Sequence, residues 1–451
     1  MIIKYSLFAL FALVFITASD PYFGTEFIQL PSKDSSDVRE LSWRSADRIN
    51  YYLEDRDDRV DKAFKITEFY YPMVKFWFLI YTQFESNQVV IHDKDNMDLI
   101  YKVLDYSSLQ EKDLPLNTRY ILQQKISDEK LQELKKDLIF LSENPFSLEP
   151  EAKAIYRSLL EVGIRAPIAR IERAEFFKKL SQNIRTQTGQ KNFIRDGVIR
   201  SQPYQHFLSK YFKSKKLPIE LTSIPFLESS FNPRAHSKAN ALGAWQFMPL
   251  IASYFVPKRT PTLDYRANVG VASVSAAFLM AENYQILKSW DLAVTAYNSG
   301  TKHLLKTKRE LASTEVDLEA VIKHSDSEHF GFASKNFYSE FLALTRALAY
   351  REELFDDLHK QDRPDIHDNL RFYLTKCAQR LDRVLNKDQL NDVEFHNDHL
   401  KSLSNTAPRG LIITTKSELP ASKFREIDER TLLRVRPIDW KLNLNQSCST
   451  R

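Results

Sequence analysis

Nine glycines in 451 residues leave this chain few positions for tight, left-handed backbone turns. Barrels and sandwiches of many short strands reverse direction about every ten residues and depend on such turns. The shortage therefore predicts a mainly α fold. Eighteen prolines do not make up the deficit: the two residue types together reach only about half their usual share. Thirty phenylalanines and twenty tyrosines exclude a chain disordered throughout, because disordered chains are poor in aromatics. The length suffices for two or three cores. Lysine and arginine (64) exceed aspartate and glutamate (59) by five, an excess too thinly spread to mark a nucleic-acid binder.

Residues 1–19 read as a secretory signal. Lys4 precedes an unbroken apolar run from Leu7 to Ile16, followed by the small residues Thr17, Ala18 and Ser19. The run is shorter than the roughly 20 residues that a spanning helix needs, so cleavage after Ser19 or Ala18 is expected rather than anchoring. No cysteine stands near that cut to carry a lipid. The mature chain is thus expected outside the cytoplasm, in the periplasm or secreted, where a bridge between Cys377 and Cys448 can form. The sequence does not decide whether the two meet.

Four stretches follow the signal. Residues 20–180 are expected to be mostly helical, with Leu131, Leu134, Leu138 and Leu141 at three- and four-residue steps. Within them, Met73-Val-Lys-Phe-Trp-Phe-Leu-Ile-Tyr81 and Val89-Val-Ile91 fit either a short hairpin or the buried face of a helix. Residues 181–358 hold most of the informative motifs. Gln361-Asp-Arg-Pro364 cannot continue a helix and predicts a break there. Residues 366–416 suggest a small α+β module, and 417–451 a tail.

Metal and nucleotide chemistry lose their usual supports. The chain has no His-Glu-x-x-His, no Cys-x-x-Cys pair, no Gly-x-Ser-x-Gly elbow and no phosphate-cradling glycine loop. Asp93-Lys-Asp95-Asn-Met97-Asp98 is calcium-like in outline but puts Met97 in a ligand position, so an ordinary acidic turn is expected. No metal and no cofactor are expected. One acid is different. In Leu217-Pro-Ile-Glu-Leu-Thr-Ser-Ile-Pro-Phe-Leu-Glu228-Ser-Ser-Phe231 an apolar run ends at Glu228. A carboxyl among such neighbours loses solvation and gains a raised pKa, which is what a general acid requires. A helix-end glutamate turned to water is the plainer reading of that stretch alone. Gly243-Ala-Trp-Gln-Phe-Met-Pro249 adds a close backbone approach, an aromatic face and an amide. Asp291-Leu-Ala-Val-Thr-Ala-Tyr-Asn-Ser-Gly300 reads as a helix with Tyr297 and Asn298 at its end and a glycine stop. Trp245 and Tyr297 are by default core aromatics.

In this order, Glu228-Ser-Ser-Phe231, Gly243-Ala-Trp-Gln246 and Ala296-Tyr-Asn298 resemble the three motifs of the lytic transglycosylases with a goose-lysozyme-like catalytic domain. Within that family they are similar to the membrane-bound lytic murein transglycosylase D group. The resemblance runs from Ile184-Arg-Thr-Gln-Thr-Gly189 to Gly331-Phe-Ala-Ser-Lys-Asn-Phe-Tyr338, under half of the chain. It implies a lysozyme-like domain that cleaves the β-1,4 bond between N-acetylmuramic acid and N-acetylglucosamine and leaves 1,6-anhydromuramic ends. Glu228 would be the catalytic residue, with Ser229, Gln246, Tyr297, Asn298 and Trp245 at the substrate. For Trp245, core and cleft stand as equal alternatives. The implied partner is the peptidoglycan glycan strand. A monomer is expected, and peripheral association with the membrane, outer membrane included, or with the cell wall is left open.

Two departures from the family stand out: no lipid-anchor cysteine is present, and the last ninety or so residues fit a LysM repeat poorly. Residues 366–416 could be a degenerate LysM-like module, or else a structural tail packed on the catalytic domain. A lysozyme-type hydrolase and a catalytically inactive wall-binding protein are the competing readings. The hydrolase needs a second acid, for which Asp264 is the candidate unless it merely pairs with Arg266.

Overall fold

A computed structural model of the chain describes residues 39–40, 48–257, 263–311, 316–325, 330–355, 358, 369–397, 399–400 and 406–435. The expected signal (1–19), the break at 361–364 and Cys448 lie outside these residues. Cys377 is disulfide-bonded. The fold is mainly α, as the glycine shortage predicts, with small antiparallel sheets. Among the described residues no helix is long and apolar enough to cross a membrane.

Helix and hairpin both occur in the ambiguous N-terminal stretch. Tyr71–Thr82 is a helix with a proline in its first turn, and Val74 together with Phe76 through Thr82 is buried. Gln88–Asp93 and Ile100–Asp105 form the hairpin, and Asp93 closes its turn by accepting the backbone N–H groups of Asp95 and Asn96. Arg39–Glu40 and Ile184–Thr188 complete a four-stranded antiparallel sheet. Because side chains alternate across a strand, this sheet serves two cores. Val90 and Val103 join the main core, while Val89, Ile91 and Leu104 join a second one with Leu134, Leu138 and Leu141 of the Leu116–Glu143 helix. Burial on both faces explains why the Val89-Val-Ile91 run is continuous rather than alternating.

The expected border at 180 therefore runs through a sheet, since Ile184–Thr188 pairs residue for residue with Gln88–Asp93. The N-terminal residues also enter the main core directly. The Tyr71–Thr82 helix lies along Phe332–Ala349, linked by Trp77 Nε1 to Asn336 Oδ1 (3.2 Å) and Tyr81 Oη to Glu340 Oε2 (3.2 Å). At the centre of the domain is Val269–Leu287. Its first nine residues are all buried, and six of them are Gly, Ala or Ser, so neighbours can approach from every side.

The C-terminal residues pack on the start of that helix. Arg371–Thr375 is the middle strand of a three-stranded antiparallel sheet between Ile412–Thr415 and Phe424–Ile427. Leu381–Val384 and Lys387–His396 supply its helices. The third strand and the Glu429–Leu433 helix fall in 417–451, so the sheet extends past 416 into the stretch expected to be a tail. Asn268 joins the two parts. Its Oδ1 accepts from Val271 N (2.9 Å), capping the central helix, and from Thr414 Oγ1 (3.1 Å); its Nδ2 donates to His396 O and Asn397 Oδ1, each at 3.2 Å. Gly270 lies so close to this sheet that an added Cβ would stand 2.9 Å from Thr414 Cγ2 and 3.2 Å from Phe372 Cε1.

Replacing Asn268 by Ala removes a helix cap and strands buried polar partners. We expect a loss of about 2–4 kcal/mol of stability, read as a lower urea midpoint in equilibrium unfolding. A loss below about 0.5 kcal/mol would mean that the C-terminal sheet is held by apolar contact alone.

Candidate active site

Glu228 lies near the end of a six-residue helix, Ile224–Ser229, whose start is made by Pro225 and whose apolar residues Ile224, Phe226 and Leu227 are buried. The chain leaves this helix through two consecutive left-handed residues, Ser230 (φ 51°) and Phe231 (φ 59°). Neither is a glycine, so the exit carries backbone strain, a feature concentrated at functional sites. The exit turns the local donors inward. Ser230 N donates to Phe226 O and Phe231 N to Pro225 O, both at 2.8 Å, while Asn232 N donates to Ser229 O at 3.1 Å. The Lys191–Ser214 helix braces it at Gly197, where an added Cβ would be 2.7 Å from Ser230 O, and through Arg200 Nη2 to the same oxygen at 2.7 Å.

Glu228 is half-buried, and among the described residues nothing donates a hydrogen bond to its carboxyl. Burial beside apolar side chains pushes its pKa up to about 8, with the negative charge of Glu340 as a second cause. At neutral pH this acid holds its proton.

The Gly243–Gln246 turn forms the next wall. Gly243 has φ +82°, and an added Cβ would meet the Arg266 carbonyl oxygen at 2.0 Å, so only glycine fits. Arg266 is itself buried: Nη1 donates to Asn240 O (2.6 Å) and Phe247 O (2.8 Å), and Nη2 pairs with Asp264 Oδ2 at 2.8 Å. Asp264 also accepts from Arg266 Nε and backbone N. It is a staple for the turn and not a second acid beside Glu228.

Two residues expected at the substrate are placed elsewhere. Ser229 is buried, and its hydroxyl donates to Ala244 O (2.8 Å) and Pro225 O (3.2 Å) and accepts from Asn232 N (3.0 Å), tying the acid's helix to the glycine turn. Its one proton is shared between these two carbonyls, and its oxygen is buried. Trp245 is fully buried, stacked on Phe212 with ring centroids 6.1 Å apart, and its Nε1 donates to Ser273 Oγ of the central helix at 2.8 Å. Of the two alternatives for Trp245, the core is the one found.

Gln246, Tyr297 and Asn298 are half-buried, like Glu228. Both amide hydrogens of Gln246 are committed, to Gly243 O (2.8 Å) and Ala235 O (3.1 Å), so its Oε1 is what it can offer as an acceptor. Tyr297 stands where the Trp290–Ser299 helix ends at Gly300 (φ +76°). Its hydroxyl donates to Trp245 O at 2.7 Å, and its own ionisation is driven far upward by burial and by the nearness of Glu228. Asn298 Oδ1 accepts from Ser334 Oγ at 3.0 Å.

Residues 208–318 match the family described as the transglycosylase SLT domain. Over 118 residues the chain is 37% identical to the membrane-bound lytic murein transglycosylase D of Escherichia coli (strain K12), which is 26% of either chain. The same figures hold for its counterpart in strain O6:H1. A protein named for tributyltin chloride resistance from Alteromonas sp. (strain M-1) is 35% identical over 109 residues, 24% of this chain and 52% of that one. The chain thus matches about a quarter of the length of its E. coli relatives.

Sequence reasoning missed Glu340, Tyr81 and Arg185. Glu340 carried the signal that picked out Glu228: a lone acid in an apolar run, Phe337-Tyr-Ser-Glu-Phe-Leu-Ala-Leu344.

The pKa of Glu228 has a consequence for stability. The folded state keeps this proton up to about pH 8, whereas the unfolded chain releases it near the ordinary value of 4.5. The group's contribution to stability is therefore full below about pH 4.5 and is lost as pH rises toward 8. Glu228→Gln should match the wild type near pH 4 and exceed it by about 2 kcal/mol at pH 8, a figure reduced for residual solvent contact. Urea unfolding across this range checks it; a difference that does not change with pH would rule out a dry acid.

Proposed function

We propose that the chain is a peptidoglycan lytic transglycosylase, which cleaves the β-1,4 bond between N-acetylmuramic acid and N-acetylglucosamine and leaves 1,6-anhydromuramic ends. The observation that carries this reading is Glu228, a half-buried acid with no hydrogen-bond partner among the described residues and a pKa near 8. The SLT domain around it and the identity to lytic murein transglycosylases support the substrate class.

In this mechanism Glu228 gives its proton to the glycosidic oxygen as the bond from that oxygen to the muramyl C1 breaks. The C6 hydroxyl oxygen of the same sugar then bonds to C1, and its proton passes to the Glu228 carboxylate. The acid is regenerated and no water is consumed. Because the nucleophile is part of the substrate, orientation replaces water activation. Gln246 Oε1, Tyr297 and Asn298 are proposed to orient the sugar.

The lysozyme-type alternative needs a second carboxylate to hold a water or to attack. Asp264 is committed to Arg266, and Glu340 is buried and bonded to Tyr81, which favours the intramolecular route. We further propose that the protein acts outside the cytoplasm, as a monomer on glycan strands, with peripheral attachment to membrane or wall. The relatives' designation as membrane-bound supports that attachment. Residues 366–416 are proposed as a degenerate LysM-like module, supported by two consecutive helices flanked on either side by strands, whose role includes bracing the SLT domain at Asn268.

Digestion of purified sacculi, with released ends identified by mass, tests the proposal. Wild-type protein should release anhydro ends, and Glu228→Gln should lower turnover by ~10²–10⁴ while remaining folded. Asp264→Asn should lower stability and leave the product unchanged. Reducing muramic-acid ends as the main product would establish the hydrolase instead, and no release at all the inactive binder.

A further inference from the structure

The part of the molecule that the mechanism leaves unused is a buried polar cluster behind the acid. Glu340 lies in the middle of Phe332–Ala349, a helix buried from Phe337 through Ala347, and is itself 6% exposed. That helix packs against both Ile224–Ser229, which carries Glu228, and Tyr71–Thr82. A carboxyl so placed is unfavourable unless it is compensated. Tyr81 Oη donates to Glu340 Oε2 at 3.2 Å, and the Arg185 guanidinium, lying 3.6 Å from the Phe332 ring centre, acts on it as the nearby positive charge. Among the described residues Arg185 Nε has no hydrogen-bond partner.

The two carboxyls are unequally supported. Glu340 has a donor and a cation to hold a negative charge; Glu228 has neither. When a coupled pair of acids titrates, the first proton leaves the better-supported group and the remaining charge opposes the second ionisation. We infer that Glu340 is a positioning residue for the acid: bonded to Tyr81, with Arg185 as its nearby cation, it is the first of the two carboxyls to ionise, and its charge then holds the proton on Glu228 from behind the helix. The inference rests on the reading of Glu228 as the general acid. Both carboxyls are pushed up to about 8, chiefly by burial, and in agreement with this order Glu340 acts on Glu228 as a raising charge while Tyr81 and Arg185 lower Glu340.

The other groups facing the cluster do not supply that charge. His92, on the neighbouring strand, is buried against Phe76 and held neutral, with its pKa lowered to about 3. Tyr297, facing Glu228, has its ionisation driven upward by burial. On Glu340's own helix, Tyr338 is likewise raised, and Arg346 is the cation on which Asp55, Tyr338 and Glu220 act.

Two measurements test the inference. The first is the pH dependence of kcat/KM on sacculi. Removing the Glu340 charge makes Glu228 easier to ionise, so Glu340→Gln should move the basic limb down by about one pH unit. Glu340→Asp, which keeps the charge, should restore it, and Tyr81→Phe, a milder change to the core, should move it down by a smaller amount. A purely packing role would instead lower kcat/KM evenly at every pH with the limb in place, and that result would overturn the inference. The second is a double-mutant cycle in urea unfolding with Glu228→Gln and Glu340→Gln, which needs no activity. Coupling at pH 8–9 that vanishes near pH 4 supports the inference, and absence of coupling at both overturns it. Should Glu228→Gln prove active, the catalytic reading fails, while the cycle still decides whether Glu340 governs the Glu228 proton.

Discussion

A carboxyl stays protonated at neutral pH when its burial is not offset by enough hydrogen-bond donors and positive charge, and around Glu228 the architecture keeps such donors away. The residues that follow a helix carry backbone N–H groups that a nearby acid could accept. Here the two left-handed residues after the helix fold those groups back onto Phe226 and Pro225, and the Ser229 hydroxyl is turned toward Ala244. The strain at Ser230 and Phe231 is sustained by neighbours that leave the loop no alternative, with Gly197 and Arg200 on one side and the Gly243 turn on the other.

That turn depends in its place on a second buried ion. Arg266 binds two backbone carbonyls and Asp264 at once, and a buried guanidinium with all these partners fixes the loop geometry in a way that apolar packing would not. The same loop presents its glycine to the Arg266 carbonyl and sends Trp245 into the core between Phe212 and the central helix. Motif residues that look like a binding surface when written as a string are thus divided. Ser229 and Trp245 are buried in the wall; Glu228, Gln246 and Tyr297 are half-buried beside it.

The regions outside the SLT match contribute to the same end. The N-terminal helix Tyr71–Thr82 supplies Trp77 and Tyr81 to the helix behind the acid, and the strand carrying Arg185 is the last strand of a sheet begun far earlier in the chain. The C-terminal sheet holds the start of the central helix through Asn268 and Gly270. A fragment cut to residues 208–318 would keep the Gly243 turn but lose Gly197 and Arg200, which brace the acid's loop, together with Tyr81, Arg185 and Glu340.

Some of this was legible in the sequence. Few glycines dictated helices, because helices need no left-handed turns along their length. An acid at the end of an apolar run dictated desolvation, because its neighbours come with it wherever the segment goes. The glycine stop at Gly300 and the close approach at Gly243 were likewise local facts. Three matters were settled only by tertiary structure. Whether Val89-Val-Ile91 was strand or helix depended on a partner, Ile184–Thr188, some ninety residues away. Whether Ser229 and Trp245 faced sugar or core depended on which acceptors the fold brought near them, Ala244 O and Ser273 Oγ. The pairing of Glu340 with Tyr81 and its influence on Glu228 joined three segments distant in the chain. Local sequence determines how costly a group is to bury, since that is set by its own chemistry and its immediate neighbours. What compensates the burial is decided in three dimensions, because hydrogen bonds and charges act over a few ångströms of space regardless of separation along the chain.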